Sequence, residues 1–311
     1  MAFVHFDAIK KETVMAKKLI ICAHGVGDHP ENFHEAWANE LVANHDPDKF
    51  IVKGLFWDDL QDELFDKYYD IKEEVRDVAE ETFLKTAYEY LDNPSYQSIL
   101  DFIKENVFDV VSYLFFKEFR DAILWPKCTI RLLEIIKKYK SYQPVLIGHS
   151  LGSILLTHIT WFIRQTTGVL NFYDFFMIGS PIGFRSPLTA IPDFLDLLAQ
   201  IGNHPNRMDA LTIWAQEWWH YKRNRLYIII NELDPIAWDV KADIGTNKDI
   251  DIIPVRQGLS DKEIKRIEAA NANTIQKFKF GSKKIEDIFG NHNVENYLNS
   301  DPFKQAFDAI L

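Results

Sequence analysis

The stretch V145-L-I-G-H-S-L-G-S153 decides how the rest of the chain is read. An apolar run ends at Ile147, and a G-x-S-x-G pattern follows with Ser150 at its centre. Three fixed positions of this kind arise by chance in about one chain in ten of this size, so the pentapeptide says little by itself. Its flanks say more. Val145 to Ile147 read as a short buried strand, while Leu151, Ile154, Leu155, His158, Ile159 and Phe162 are spaced as one face of a helix. A serine between them sits on a sharp turn, where side chains at Gly148 or Gly152 would collide with the neighbouring strand and helix. Its hydroxyl is then carried above the carboxyl edge of a sheet, with a helix N-terminus beneath it that favours developing negative charge. That context makes Ser150 a candidate nucleophile, against the plainer reading of a structural Gly-Ser corner.

On either side of this turn, strand-like and helix-like segments alternate. K18-L-I-I-C-A23, F50-I-V-K-G-L-F-W57, Pro144 to Ile147, F172-Y-D-F-F-M-I178 and L226-Y-I-I-I230 are short, apolar and poor in polar alternation, as parallel strands covered on both faces are. T129-I-R-L-L-E-I-I-K-K-Y139 predicts a helix with Ile130, Leu133, Ile135 and Ile136 on one apolar side and Lys137 and Lys138 in its last turns. The alternation predicts a mostly parallel, doubly wound α/β sheet in a single domain over 1–311. The interval from His24 to Ser150 is longer than one strand and two short helices need, so residues 58–125 read as a helical insertion. It starts acidic, at D58-D-L-Q-D-E-L-F-D66, and continues with Ile99, Leu100, Ile103, Val107, Val110, Val111 and Leu114 at helical spacing. Such a stripe suits a lid or pocket wall as well as plain core packing. A second cap candidate spans 181–223 and contains I213-W-A-Q-E-W-W219.

Composition narrows the function classes. With 311 residues, 47% hydrophobic and 26% charged, the chain can bury a large core. A formal charge of -11 without a basic stripe argues against nucleic acid and anionic membrane surfaces as partners. The run V110-V-S-Y-L-F-F116 is closed by Lys117 and falls well short of the roughly 18 residues of a spanning helix, so no integral membrane segment is expected. The two cysteines, Cys22 and Cys128, read as small apolar groups and not as a disulfide. With no secretory leader evident, the expected location is cytoplasmic; Met15, followed by Ala-Lys-Lys, is an alternative start to Met1. The loop from Gly25 to Pro30, G-V-G-D-H-P, has proline where a dinucleotide fingerprint needs its third glycine, and H34-E-A-W-A38 lacks the second histidine of a zinc helix. Neither a cofactor nor a metal is expected.

A serine hydroxyl needs a base, and the base needs an acid to orient it. In strand-turn-helix sites of this type the three follow one another as serine, acid, histidine. Of ten histidines only His292 lies beyond Leu226 to Ile230, in G290-N-H-N293 ahead of a closing helix that begins near Val294. The acid should follow that strand, within N231-E-L-D-P-I-A-W-D239; Asp234 fits best because Pro235 stiffens the turn that presents it, with Glu232 and Asp239 as competitors. The oxyanion of a tetrahedral intermediate calls for two fixed N–H groups. The candidates are Leu151, directly after the serine, and Val26, between Gly25 and Gly27 in the loop from Ala23 to Pro30. His24 and His29 precede the serine and read as loop-shaping residues.

H24-G-V-G27, G148-H-S-L-G152, the Asp234-Pro235 pair and His292, together with G179-S-P-I-G183, resemble the α/β-hydrolase superfamily, in particular its lipase and esterase branches. The resemblance covers roughly 18–311 in order and implies a serine hydrolase that forms an acyl-enzyme on Ser150 and releases it with His292 as base. One departure is that little chain precedes Lys18, where the fuller family fold has two more strands; V4-H-F6 could supply part of one. The expected substrate is a small-molecule carboxylic ester with a substantial apolar part. The same residues would serve thioester hydrolysis or acyl transfer, and the fold can also be kept as a binding module without turnover. No motif identifies a protein partner.

Overall fold

The computed structural model describes residues 17–61, 113, 120–167, 174–180, 225–231, 234, 237, 250–256, 260–262, 265 and 292–311. Six strands, β1 (Lys18–Ala23), β2 (Phe50–Gly54), β3 (Gln143–His149), β4 (Asp174–Ile178), β5 (Arg225–Asn231) and β6 (Ile250–Val255), form one sheet in the order β2-β1-β3-β4-β5-β6. Every pairing is parallel. The chain moves outward from β1 to β2, then returns to place β3 on the other side of β1. Connections after β1 and β3 therefore leave the sheet in opposite directions, which opens a crevice at their carboxyl ends.

The apolar runs explain why the sheet sits in the middle. β1 is buried along its whole length, and successive side chains enter two different cores. Leu19, Ile21, Leu146, Phe175, Met177, Leu226 and Ile228 pack on one face against helices α2 (Trp125–Lys138) and α3 (Leu151–Thr167). Ile20, Cys22, Val145, Ile147, Phe176, Ile178, Tyr227 and Ile229 face α1 (His34–Asn44), α4 (Val294–Leu298) and α5 (Asp301–Asp308), meeting Trp37, Leu41, Phe303 and Phe307. Each fully buried aliphatic or aromatic side chain adds on the order of 1.5–3 kcal/mol of transfer free energy before chain entropy is counted. Both cysteines are free and buried, and burial pushes the Cys128 thiol up to about 12, so it packs as a small apolar group.

Three expectations change. The helix expected at 129–139 is present as α2, but it starts at Trp125 and buries Trp125, Cys128, Thr129 and Leu132, with Ile135 and Ile136 partly packed. Ile130 and Leu133 face outward, 57% and 43% exposed. The stripe Trp125, Cys128, Leu132, Ile136 has the same helical period as the one through Ile130 and Leu133, and its contact with α3 decides which is buried. Strand β6, at 250–255, is an element the strand reading omits; Pro254 is accommodated because β6 is the edge strand beside β5. The helix after Ser150 is also buried on more than one face, since every residue from Leu151 to Thr160 is buried. Most of the insertion at 58–125, the second cap at 181–223, V4-H-F6, Glu232 and Asp239 lie outside the described residues. Among the described residues no helix is long and apolar enough to cross a membrane.

Candidate active site

β3 ends at His149, and α3 begins at Leu151, so a single residue makes the turn. Ser150 does this with φ 50°, the one non-glycine among the described residues at positive φ. A left-handed serine costs about 1–2 kcal/mol and persists only where its surroundings hold it. Its N–H donates to the Ile178 carbonyl at the end of β4 (3.0 Å), and its carbonyl accepts from the Ser153 N–H (3.0 Å) and hydroxyl (2.6 Å). The two flanking glycines are required for different contacts. A Cβ on Gly148 would lie 2.5 Å from the Ser153 Cα, and one on Gly152 would lie 2.1 Å from the His24 carbonyl oxygen. Gly148 thus lets α3 fold back on its own strand, and Gly152 lets α3 pass the end of β1.

A parallel sheet of this strand order, with a strained serine between its β3 and the following helix at the reversal of strand order, decides the architecture. It is the α/β-hydrolase fold. No protein-family model and no curated protein sequence matches the chain. Solved structures similar to it include RedJ with a polyethylene glycol molecule bound in the active site (13% identity over 82% of this chain and 85% of that one, TM-score 0.34). A highly thermostable carboxyl esterase from Bacillus coagulans in complex with glycerol is 11% identical, with 86% and 91% covered and a TM-score of 0.38. The peroxisomal α/β-hydrolase Lpx1 from Saccharomyces cerevisiae is 12% identical, with 95% and 85% covered and a TM-score of 0.35.

Within this hydrolase fold, Asp234 and His292 meet although 58 positions separate them: His292 Nδ1 donates to Asp234 Oδ2 at 2.7 Å. Both are buried, at 1% and 6% exposure. Asp234 follows β5 through a turn in which its N–H donates to the Asn231 carbonyl (2.9 Å). His292 lies just ahead of α4, whose first turn is capped by the Asn293 side chain accepting from the Glu295 N–H (3.0 Å). With Nδ1 engaged by Asp234, the other ring nitrogen of His292, Nε2, is buried and has no hydrogen-bond partner among the described residues.

Three contacts connect this pair to the serine turn. Gly179, directly after β4 and at φ 57°, backs onto both residues: a Cβ there would lie 3.1 Å from His292 Cε1 and 3.2 Å from Asp234 Oδ2. Its neighbour Ser180 touches Ser153 of α3, hydroxyl to hydroxyl at 2.6 Å. His149, one residue before the serine, donates from Nε2 to the His292 carbonyl at 2.7 Å, and the two rings sit 4.6 Å apart. Burial, reinforced by the neighbouring His292, holds His149 well below the usual histidine range, so it remains a neutral donor.

The loop after β1 closes the other side. A Cβ on Gly25 would lie 2.7 Å from Ser150 Cβ and 3.3 Å from its Oγ. His24, wholly buried, donates from Nδ1 to the Gly25 carbonyl (3.0 Å); because the peptide is planar and trans, this fixes the direction of the Val26 N–H on its far side. Burial first, then the nearby His29, lowers His24 to about 3, and its ring stacks on Trp57 at 5.3 Å. His29 donates from Nε2 to the Val26 carbonyl (3.2 Å) and takes Asp58 through its own backbone N–H (2.7 Å). Val26 is half-buried, Gly27 takes φ 98°, and Leu151 is the first residue of α3. Among the described residues no group of histidine, cysteine and carboxylate side chains could hold a metal ion.

Sequence reasoning names Ser150, Asp234, His292, Val26, Leu151 and the four glycines, but it gives no role to His149, Tyr297 or Gly179. G179-S-P-I-G183 enters it only as a family-like segment. A histidine inside the pentapeptide and a tyrosine inside a short amphipathic helix carry no pattern of their own.

Proposed function

We propose that the protein is a serine hydrolase that cleaves a carboxylic ester with an apolar acyl part through an acyl-enzyme on Ser150. The observation that carries this reading is the buried Asp234–His292 hydrogen bond beside the strained serine turn. Ser150 Oγ attacks the ester carbonyl carbon while His292 Nε2 takes its proton. Asp234 holds the ring in the tautomer that leaves Nε2 basic and stabilises the imidazolium that forms. The oxyanion is met by the N–H groups of Val26 and Leu151, the first aimed by the His24 contact and the second backed by the N-terminus of α3. Collapse breaks the ester C–O bond, and His292 returns the proton to the departing alkoxide. Water, deprotonated by His292, then attacks the acyl-enzyme and restores the serine. Free, buried cysteines are compatible with a cytoplasmic setting.

The test is intact-mass labelling with a fluorophosphonate. Wild type should gain one adduct, Ser150→Ala none, and His292→Ala should label far more slowly. A folded wild type that takes no label, or a Ser150→Ala variant that keeps its esterase activity, defeats the assignment.

A further inference from the structure

One oxygen of Asp234 receives two donors. Besides the His292 ring, the phenol of Tyr297 donates to Asp234 Oδ2. Tyr297 sits on α4, five residues beyond His292, and is fully buried. The phenol oxygen also accepts the Asn231 N–H at 3.2 Å, so its position is fixed by the end of β5 and its single proton is left for Asp234. Burial, with the charge of Asp234 next to it, keeps the phenol well above its usual range, and it stays a donor at neutral and moderately alkaline pH.

The chain between the two donors closes a small ring. His292 and Tyr297, the ends of one short segment, both grip the same carboxylate oxygen, while His149 holds the His292 carbonyl from the serine turn. Two donors converging on one carboxylate oxygen resist its rotation about the last side-chain torsion, a motion that would be passed to the imidazole it orients. Among the described residues, His149 also touches the pair, through the carbonyl and the ring of His292.

We propose that Tyr297 is a positioning residue of the reaction centre, fixing Asp234 and, through it, the ring of His292. The role rests on the serine-hydrolase reading above. It also gives α4 a part in the chemistry beyond its packing.

Tyr297→Phe keeps the ring and removes only the O–H. With a p-nitrophenyl ester of a short fatty acid, it should lower kcat roughly tenfold to a hundredfold while KM stays within about twofold, the size of effect that loss of alignment produces. The far-downfield proton resonance of His292 Nδ1–H should move further downfield, because Oδ2, relieved of one donor, becomes a stronger acceptor for the other. Should the variant fail to fold, wild-type chain made with fluorotyrosine gives the same measurement in reverse: a more acidic phenol draws more charge from Oδ2, and the resonance should move upfield. Unchanged kcat with an unmoved resonance in Tyr297→Phe, or an unmoved resonance in the fluorotyrosine protein, overturns the proposal. The resonance needs no turnover. A wild type that neither hydrolyses ester nor takes fluorophosphonate would therefore defeat the hydrolase reading separately from the link between Tyr297 and Asp234.

Discussion

Ser150 holds a backbone conformation that glycine would adopt without strain. Left-handed φ costs an ordinary residue about 1–2 kcal/mol, and glycine loses about 0.5–1 kcal/mol of that advantage through its freer unfolded chain. Ser150→Gly should therefore unfold at higher urea, gaining up to about 1 kcal/mol, while losing all ester hydrolysis. A variant less stable than wild type would mean that the turn is not strained. Gly152→Ala should behave in the opposite way. Its methyl group would stand 2.1 Å from the His24 carbonyl oxygen and 2.4 Å from that of Ala23, both backbone atoms that move only with β1. Forced overpacking of this kind costs typically about 1–3 kcal/mol, and urea unfolding should register a loss at the upper end of that range. Because the displaced peptide leads into Gly25 and Val26, turnover should fall more than stability alone explains.

At the scale of the element, α2 offers a direct check on register. Leu132 is fully buried, whereas Ile130 is more than half exposed. Leu132→Ala should cost about 2–5 kcal/mol in thermal or urea unfolding, and Ile130→Ala should stay within about 0.5 kcal/mol. Equal losses would return the helix to the register read from its sequence. That reading fails for a physical reason: two apolar stripes of equal period run along 125–136, and only contact with α3 chooses between them. Counting Trp125, Cys128 and Thr129 with the core would tip the balance. β6 escapes for a different reason, since Asp251 and Pro254 break the apolar run and only its place beside β5 makes it a strand. β1, β3, β4 and β5 are legible because burial on both faces demands apolar residues at nearly every position. The turn at Ser150 is legible because its glycines are imposed by backbone contacts. Tyr297 and His149 are not, because a hydrogen bond between distant segments leaves no periodic trace in either.

Across the whole molecule, one fully buried and three part-buried histidines are held below the usual histidine range. His24, His29, His34 and His149 are all pushed down, with burial as the first cause in each. In the unfolded chain they titrate near pH 6.5, so below that pH the unfolded state binds protons that the folded state refuses, and stability falls as pH falls. The loss begins near 6.5 and continues toward about 3, where His24 itself is protonated in the fold. For the fully buried His24 it amounts to about 1.4 kcal/mol per pH unit while the ring remains neutral in the fold. Urea midpoints measured at descending pH should drop steadily through this window. A flat profile would mean that these rings become charged inside the folded protein.

The order of the site's parts along the chain has a consequence for synthesis. The serine turn lies at Ser150, the carboxylate at Asp234 and the imidazole at His292, so they leave the ribosome in that sequence and far apart in time. A nascent chain halted between Ile178 and His292 already contains β1, β3, β4 and the serine turn, but not the histidine proposed as its base. On the serine-hydrolase reading proposed above, reactivity toward esters is withheld until α4 docks, and fluorophosphonate labelling of ribosome-bound chains of increasing length should switch on only once residues 292–297 have emerged.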